Sequence, residues 1–273
     1  MRYVKLAGCS VPAIGQGTWY MGEDPAHRAA EVAALQQGIE QGLTLIDTAE
    51  MYAEGGAEAV VGQAIAGRRD QVFLVSKVYP HNASRRGVAE ACERSLKRLG
   101  SEMIDLYLLH WRGRYPLEET VEAFERLREQ GKIGRWGVSN FDVDDLRELH
   151  NPDCATNQVL YNPAQRGIEF DLLPWSRQRG LPTMAYCPLA QAGRLLQHPV
   201  LSEIAERHGA TPAQVSLAWV TRDNDVIAIP KAVSSEHVRL NAAAGALTLT
   251  SEDLRAIDRA FPAPTRKQQL AMV

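Results

Sequence analysis

The sequence predicts a closed (β/α)8 barrel with a short N-terminal β-hairpin and extra C-terminal helices. Three observations carry this expectation. Short apolar runs rich in Val, Ile and Leu alternate with longer stretches of helical periodicity. Eight such runs fit within about 250 residues, the usual span of an α/β barrel. The glycine fingerprint of an open nucleotide-binding sheet is absent: Gly15-Gln16-Gly17 is followed by Tyr20 where the third glycine would stand.

Tyr3 to Val11 reads as the hairpin. The strand candidates follow as Pro12–Gly15, Leu43–Ile46, Val72–Ser76, Ile104–Leu109, Trp136–Ser139, Ala155–Gln158, Thr183–Tyr186 and Val226–Ile229. Between them, Ala26–Gln41 carries Val32, Leu35 and Ile39 at helical spacing. Ser84–Leu99 opens on a Ser cap and closes on Gly100, and Leu117–Gln130 closes on Gly131. Asp142–Leu149 starts on an Asp cap. The later helices fall at Asp171–Arg179, Pro199–His208, Pro212–Val220, Ser234–Ala244 and Ser251–Ala260. No linker or low-complexity tract interrupts the pattern, so residues 1–273 are expected to form one domain.

Composition excludes several classes. Apolar residues make up 45% and charged residues 23%, with a formal net charge of -3, so a nucleic-acid partner is not expected. No apolar run approaches the roughly 18 residues of a membrane span. The start of the chain does not read as a secretory signal, which makes the expected location cytoplasmic. Cys9, Cys92, Cys154 and Cys187 lack short ligand spacing and read as buried thiols, with no metal site. A monomer is expected.

The functional information lies where the apolar runs stop. They end at Asp47, Lys77, His110, Asn140, Gln158, Tyr186 and Lys231. The first four are about 30 residues apart, one βα unit each, which brings them to the same rim of a barrel. Alone, each has an ordinary explanation: an Asp caps a turn, a Lys snorkels, a His fills a core. Sharing one mouth, they crowd a carboxylate, an ammonium and an imidazole together with the phenol of Tyr52. Charges buried this way must pair, and pairing perturbs their pKa values. An ammonium beside a phenol favours the phenolate, which makes Tyr a better proton donor to a developing alkoxide. Such a set suits reduction of C=O, with the hydride coming from a cofactor.

Three segments resemble the signatures of the aldo/keto reductases, a resemblance that runs from about Leu6 to Phe261. The first is Asp47, Thr48, Ala49, Glu50, Met51 and Tyr52, followed by Glu58, Val61 and Gly62. The second is Lys132 to Phe141, and the third is Ile229, Pro230 and Lys231 through Asn241. The resemblance implies Asp47, Tyr52, Lys77 and His110 as the catalytic set, with Tyr52 as proton donor and His110 orienting the carbonyl. Lys77, paired with Asp47, would lower the pKa of Tyr52. It implies NADPH as cofactor, with NADH as the second option. Ser139, Asn140 and Gln158 would meet the nicotinamide amide, and Tyr186 would stack on the ring. Pro188, Leu189, Gln191 and Gly193 would follow the pyrophosphate, with Gly17 and Thr18 also on the cofactor path. Lys231, His237, Arg239 and Asn241 would serve the adenosine end. Trp19, Tyr20 and Trp111 would wall the substrate side.

The third segment departs from the family pattern. Ala232 stands where a Ser is usual, His237 where an Arg is usual, and Leu240 where an acid is usual. The Ser and Arg positions help to hold the 2′-phosphate, so the preference for NADPH over NADH is expected to be reduced. The loop after His110 and the tail after Phe261 are short, which implies an open mouth and small aldehydes as substrates. The whole resembles the bacterial branch associated with methylglyoxal. Arg112 and Arg114 could draw anionic substrates or stand as solvated charges. The alternative function is a non-catalytic, nucleotide-binding redox-sensing or structural member of the same fold.

Overall fold

A computed structural model describes residues 1–273. An antiparallel hairpin of β1 (Tyr3–Leu6) and β2 (Cys9–Pro12) precedes eight parallel strands. These are β3 (Gln16–Gly17), β4 (Leu45–Asp47), β5 (Phe73–Val78), β6 (Ile104–Leu109), β7 (Ile133–Ser139), β8 (Cys154–Leu160), β9 (Thr183–Tyr186) and β10 (Val226–Ala228). They pair in sequence order from β3 to β10. The first run differs from its expected span because it feeds two neighbours in turn. Ala13 to Gly15 meet β10 through Ala228, whose N–H donates to Ala13 O and whose carbonyl accepts from Gly15 N, both at 2.8 Å. Gln16 and Gly17 then pair with Ile46 and Asp47 of β4. This bend closes the sheet on itself.

The helices are α1 (Arg28–Glu40), α2 (Gly56–Ile65), α3 (Arg85–Leu99), α4 (Leu117–Glu129), α5 (Val143–Leu149), α6 (Leu172–Gln178), α7 (Pro199–Arg207), α8 (Pro212–Val220), α9 (Ser235–Ala244) and α10 (Ser251–Ala260). The expected caps form. Ser84 accepts from Gly87 N, Asp142 accepts from Asp144 N and Asp145 N, and Gly100 ends α3 in the left-handed region. Helix α2 is absent from the sequence expectation. Ala57, Val60, Val61, Ala64 and Ile65 give it an apolar stripe, but the Gly55-Gly56 pair at its start reads as a turn.

Strand alternation sorts the sheet into two faces. One packs under the helices in the larger core. The other fills the barrel with Leu45, Val75, Leu106, Leu108, Met184, Ile227 and Ile229, and the hairpin's Val4, Leu6 and Val11 join them. Two residues further along each strand, on the same face, stand Asp47, Lys77, His110, Tyr186 and Lys231. The site is therefore the top layer of the barrel filling. Cys92 and Cys154 are buried as expected, whereas Cys9 and Cys187 are half-exposed. Cys9 lies in the hairpin at the barrel's base, and Cys187 lies at a strand end beside the cavity described below.

Candidate active site

The catalytic candidates meet in one hydrogen-bonded group. Lys77 Nζ, fully buried, donates to Asp47 Oδ2 at 2.7 Å, to Thr48 O at 2.8 Å and to Tyr52 Oη at 3.1 Å. Asp47 Oδ1 accepts from Gln158 Nε2 at 2.7 Å, so both carboxylate oxygens are engaged. The His110 ring lies edge-on to Tyr52 with centroids 5.8 Å apart, and its buried Nδ1 has no partner.

Burial and charge act against each other here. Burial raises the Tyr52 phenol above its ordinary range, and Lys77 opposes that rise without cancelling it. The expectation that Lys77 lowers this pKa therefore holds for its own effect and not for the net direction. Burial acts to lower the Lys77 ammonium, but Asp47 and Tyr52 outweigh it, so the group stays protonated. Burial, with Lys77 adding, holds His110 well below the usual imidazole range. A neutral His can donate one N–H to a carbonyl oxygen, and a phenol held beside an ammonium can give up a proton.

A cavity of about 460 Å³ opens above this group, within the range of small-molecule sites. Asp47, Tyr52 and His110 line its floor, while Lys77 lies beneath. Trp19, Tyr20 and Trp111 line one side, with Trp19 stacked on Tyr20 at 4.5 Å. Ser139, Asn140, Gln158 and Tyr186 line another. Asn140, in the left-handed region at φ 58°, donates to His110 O and accepts from the Tyr186 hydroxyl. Ser139 donates to Gln158 O. Gly17, Thr18, Pro188, Leu189, Gln191 and Lys231 extend the lining away from the catalytic group. Gly193, His237, Arg239 and Asn241 lie outside it. His237 and Asn241 sit one turn apart on α9, whereas Arg239 falls about 200° round the helix from His237.

The sequence expectation omitted Met51, Cys187, Ile229, Pro230, Met272 and Val273 from the lining. Cys187 is one residue beyond a strand-end Tyr, a position that could have been read. Met272 and Val273 could not, because the tail reaches the cavity by returning across the barrel rim. Lys267 pairs there with Asp144 at 3.3 Å and Asp171 at 3.5 Å. The mouth is thus partly covered where the short tail implied an open one. Arg112 is paired with Glu148 at 2.7 Å, and Arg114 lies exposed over the Tyr115 ring.

A parallel barrel with this polar group at the C-terminal strand ends defines an oxidoreductase-type site, and the family model for the aldo/keto reductase family matches residues 13–261. The chain belongs to that family. Over its full length it is 58% identical to the methylglyoxal reductase YeaE of Escherichia coli, 99% of which is covered. It is 34% identical to the glyoxal reductase of Bacillus subtilis, over 92% of this chain and 89% of that one. An aldo-keto reductase from Klebsiella pneumoniae, crystallised in complex with NADPH, superposes with a TM-score of 0.98 at 58% identity, covering 100% of this chain and 99% of that chain.

Proposed function

We propose that the protein is an NADPH-dependent reductase of small aldehydes and ketones, methylglyoxal among them, with Tyr52 as proton donor. The observation that carries this reading is the Asp47–Lys77–Tyr52 chain at 2.7 and 3.1 Å beneath a cavity that His110 also faces. The kinship with the methylglyoxal reductase of E. coli and with the NADPH-bound Klebsiella enzyme supports it.

The residues present fit such a cofactor. No protein donor reaches Gln158 Oε1, which leaves an acceptor in the cavity wall for a carboxamide N–H. The Tyr186 ring forms part of the same wall. Ser139, Asn140 and Gln158 would hold the nicotinamide end, and Lys231 would lie toward the phosphates. When bound, NADPH supplies the hydride. His110, neutral, donates a hydrogen bond to the carbonyl oxygen and fixes its direction. Tyr52 gives its proton to that oxygen as negative charge develops. Lys77 stabilises the resulting phenolate, and Asp47 keeps Lys77 charged. The aromatic walls Trp19, Tyr20 and Trp111 shed water from the reacting carbonyl.

The test follows NADPH oxidation by purified protein against a panel of small aldehydes, with Tyr52→Phe alongside. Turnover of methylglyoxal by the wild type and a loss of roughly 10²–10⁴-fold in the Phe variant are expected. Near wild-type reduction by Tyr52→Phe, with unchanged cofactor affinity, would refute the assignment. Cofactor binding without turnover of any aldehyde would favour a non-catalytic role.

A further inference from the structure

The backbone that carries Tyr52 is unusual. Ala53, Glu54 and Gly55 take three consecutive left-handed conformations, at φ 49°, 53° and 91°. Such geometry costs free energy and persists only where neighbours hold it. Two neighbours do so. Gly22, in the loop after β3, packs so closely on the Gly56 backbone that neither position has room for a Cβ. On the other side the Arg98 side chain of α3 occupies the space that a Cβ on Gly55 would need.

Arg98 is itself fixed by α2, through an Nε bond to Glu58 Oε2 at 2.6 Å. Glu58 is fully buried, and its other oxygen accepts from Ser76 Oγ at 2.6 Å. Ser76 directly precedes Lys77 on β5. One carboxylate therefore ties the turn bearing the phenol to the strand bearing the ammonium. None of the three side chains lines the cavity.

We propose that Glu58, Arg98 and Ser76 form a positioning clasp that sets the Tyr52–Lys77 contact and thereby the competence of Tyr52 as an acid. A buried ion pair yields little net stability for its desolvation, so its main physical consequence here is geometric. Displacement of a reacting group by about 1 Å can cost about 10²-fold in rate. The proposal rests on Tyr52 being the proton donor. The titratable groups facing the phenol are Lys77, Asp47, His110, Tyr186 and Cys187, and none of them belongs to the clasp.

The experiment compares Glu58→Gln, Arg98→Met, Arg98→Lys and Ser76→Ala with the wild type and with Tyr52→Phe. It measures kcat across pH, cofactor Kd and thermal midpoint. A longer Lys77–Tyr52 contact weakens the pull on the phenol. The alkaline limb of the reduction profile should then move to higher pH, while kcat falls by about 10–100-fold and cofactor Kd stays within about twofold. Arg98→Lys keeps the charge and should recover part of the loss. Ser76→Ala leaves the ion pair in place and should show the same shift at a few-fold cost, which decides the matter if the pair variants do not fold. Folded variants with wild-type kcat and an unmoved limb, differing only in thermal midpoint, would overturn the clasp. A fully active Tyr52→Phe would instead overturn the proton-donor reading, so the two failures are distinguishable.

Discussion

Replacing Lys77 by Met tests the electrostatic core of the mechanism. Lys77 Nζ lies 3.1 Å from the Tyr52 oxygen in a fully buried position. At that distance, with an effective dielectric constant of about 20, a full charge pair interacts by about 5 kcal/mol, which holds the phenol pKa below where burial alone would put it. Asp47 stands 2.7 Å from the same ammonium and offsets part of that pull. In the proposed mechanism carbonyl reduction needs the protonated phenol, so the rate should fall as pH rises through the phenol pKa. Loss of Lys77 raises that pKa further. The alkaline limb should therefore move up or leave the accessible range, while the plateau drops by about 10²–10⁴-fold. Asp47→Asn should cost less, because it removes a charge that repels the phenolate as well as one that steadies Lys77. Removing one member of a buried pair costs about 3–5 kcal/mol, so the assay must run well below a measured thermal midpoint. Gln158 still donates to Asp47 in the variant and limits that cost. Because the wild-type phenol already stands above its ordinary range, steady-state rates from pH 6 to beyond pH 11, with cofactor affinity from fluorescence quenching, decide the outcome. An unaltered profile with only weakened cofactor binding would show that Lys77 serves the cofactor and not the phenol.

Three further outcomes are expected. If His237 meets the 2′-phosphate, His237→Arg should tighten NADPH binding and His237→Ala should weaken it, with NADH binding nearly unchanged in both. Equal NADPH affinities in wild type, His237→Arg and His237→Ala would place that side chain elsewhere. Alkylation at pH 8 should modify Cys9 and, more slowly, Cys187, whose thiol burial pushes up. It should spare Cys92 and Cys154, which burial pushes up to about 12, and NADP should protect Cys187 alone; peptide mass spectrometry reads the pattern. Arg166 is buried between Glu169 at 2.7 Å and Asp258 at 2.8 Å, so Arg166→Met should cost about 3 kcal/mol. That loss corresponds to a fall of about 5 °C in thermal midpoint, and an unchanged midpoint would show the network to be energetically idle.

The order of strands and helices was legible in the sequence because each element carries its own period and its own caps. Ser84, Asp142 and Gly100 mark helix ends by local chemistry that needs no neighbour. Asp47, Lys77 and His110 were legible for a related reason. Alternation along a parallel strand continues the inward face past the last apolar residue, and one βα unit separates each from the next. Motif spacing added Tyr52. What the chain could not declare was decided between distant segments. Helix α2 hides behind two glycines that look like a turn until Gly22 and Arg98 are seen to pack against them. The net direction of the Tyr52 pKa depends on how deeply a phenol sits, which is a property of the closed barrel and not of any one strand. Met272 and Val273 reach the cavity only because Lys267 finds Asp144 and Asp171 across the rim. Periodicity and caps act over a few residues and are written in order along the chain. Burial, ion-pair partners and cavity walls join residues 20 to more than 100 positions apart, and only the folded chain brings them together.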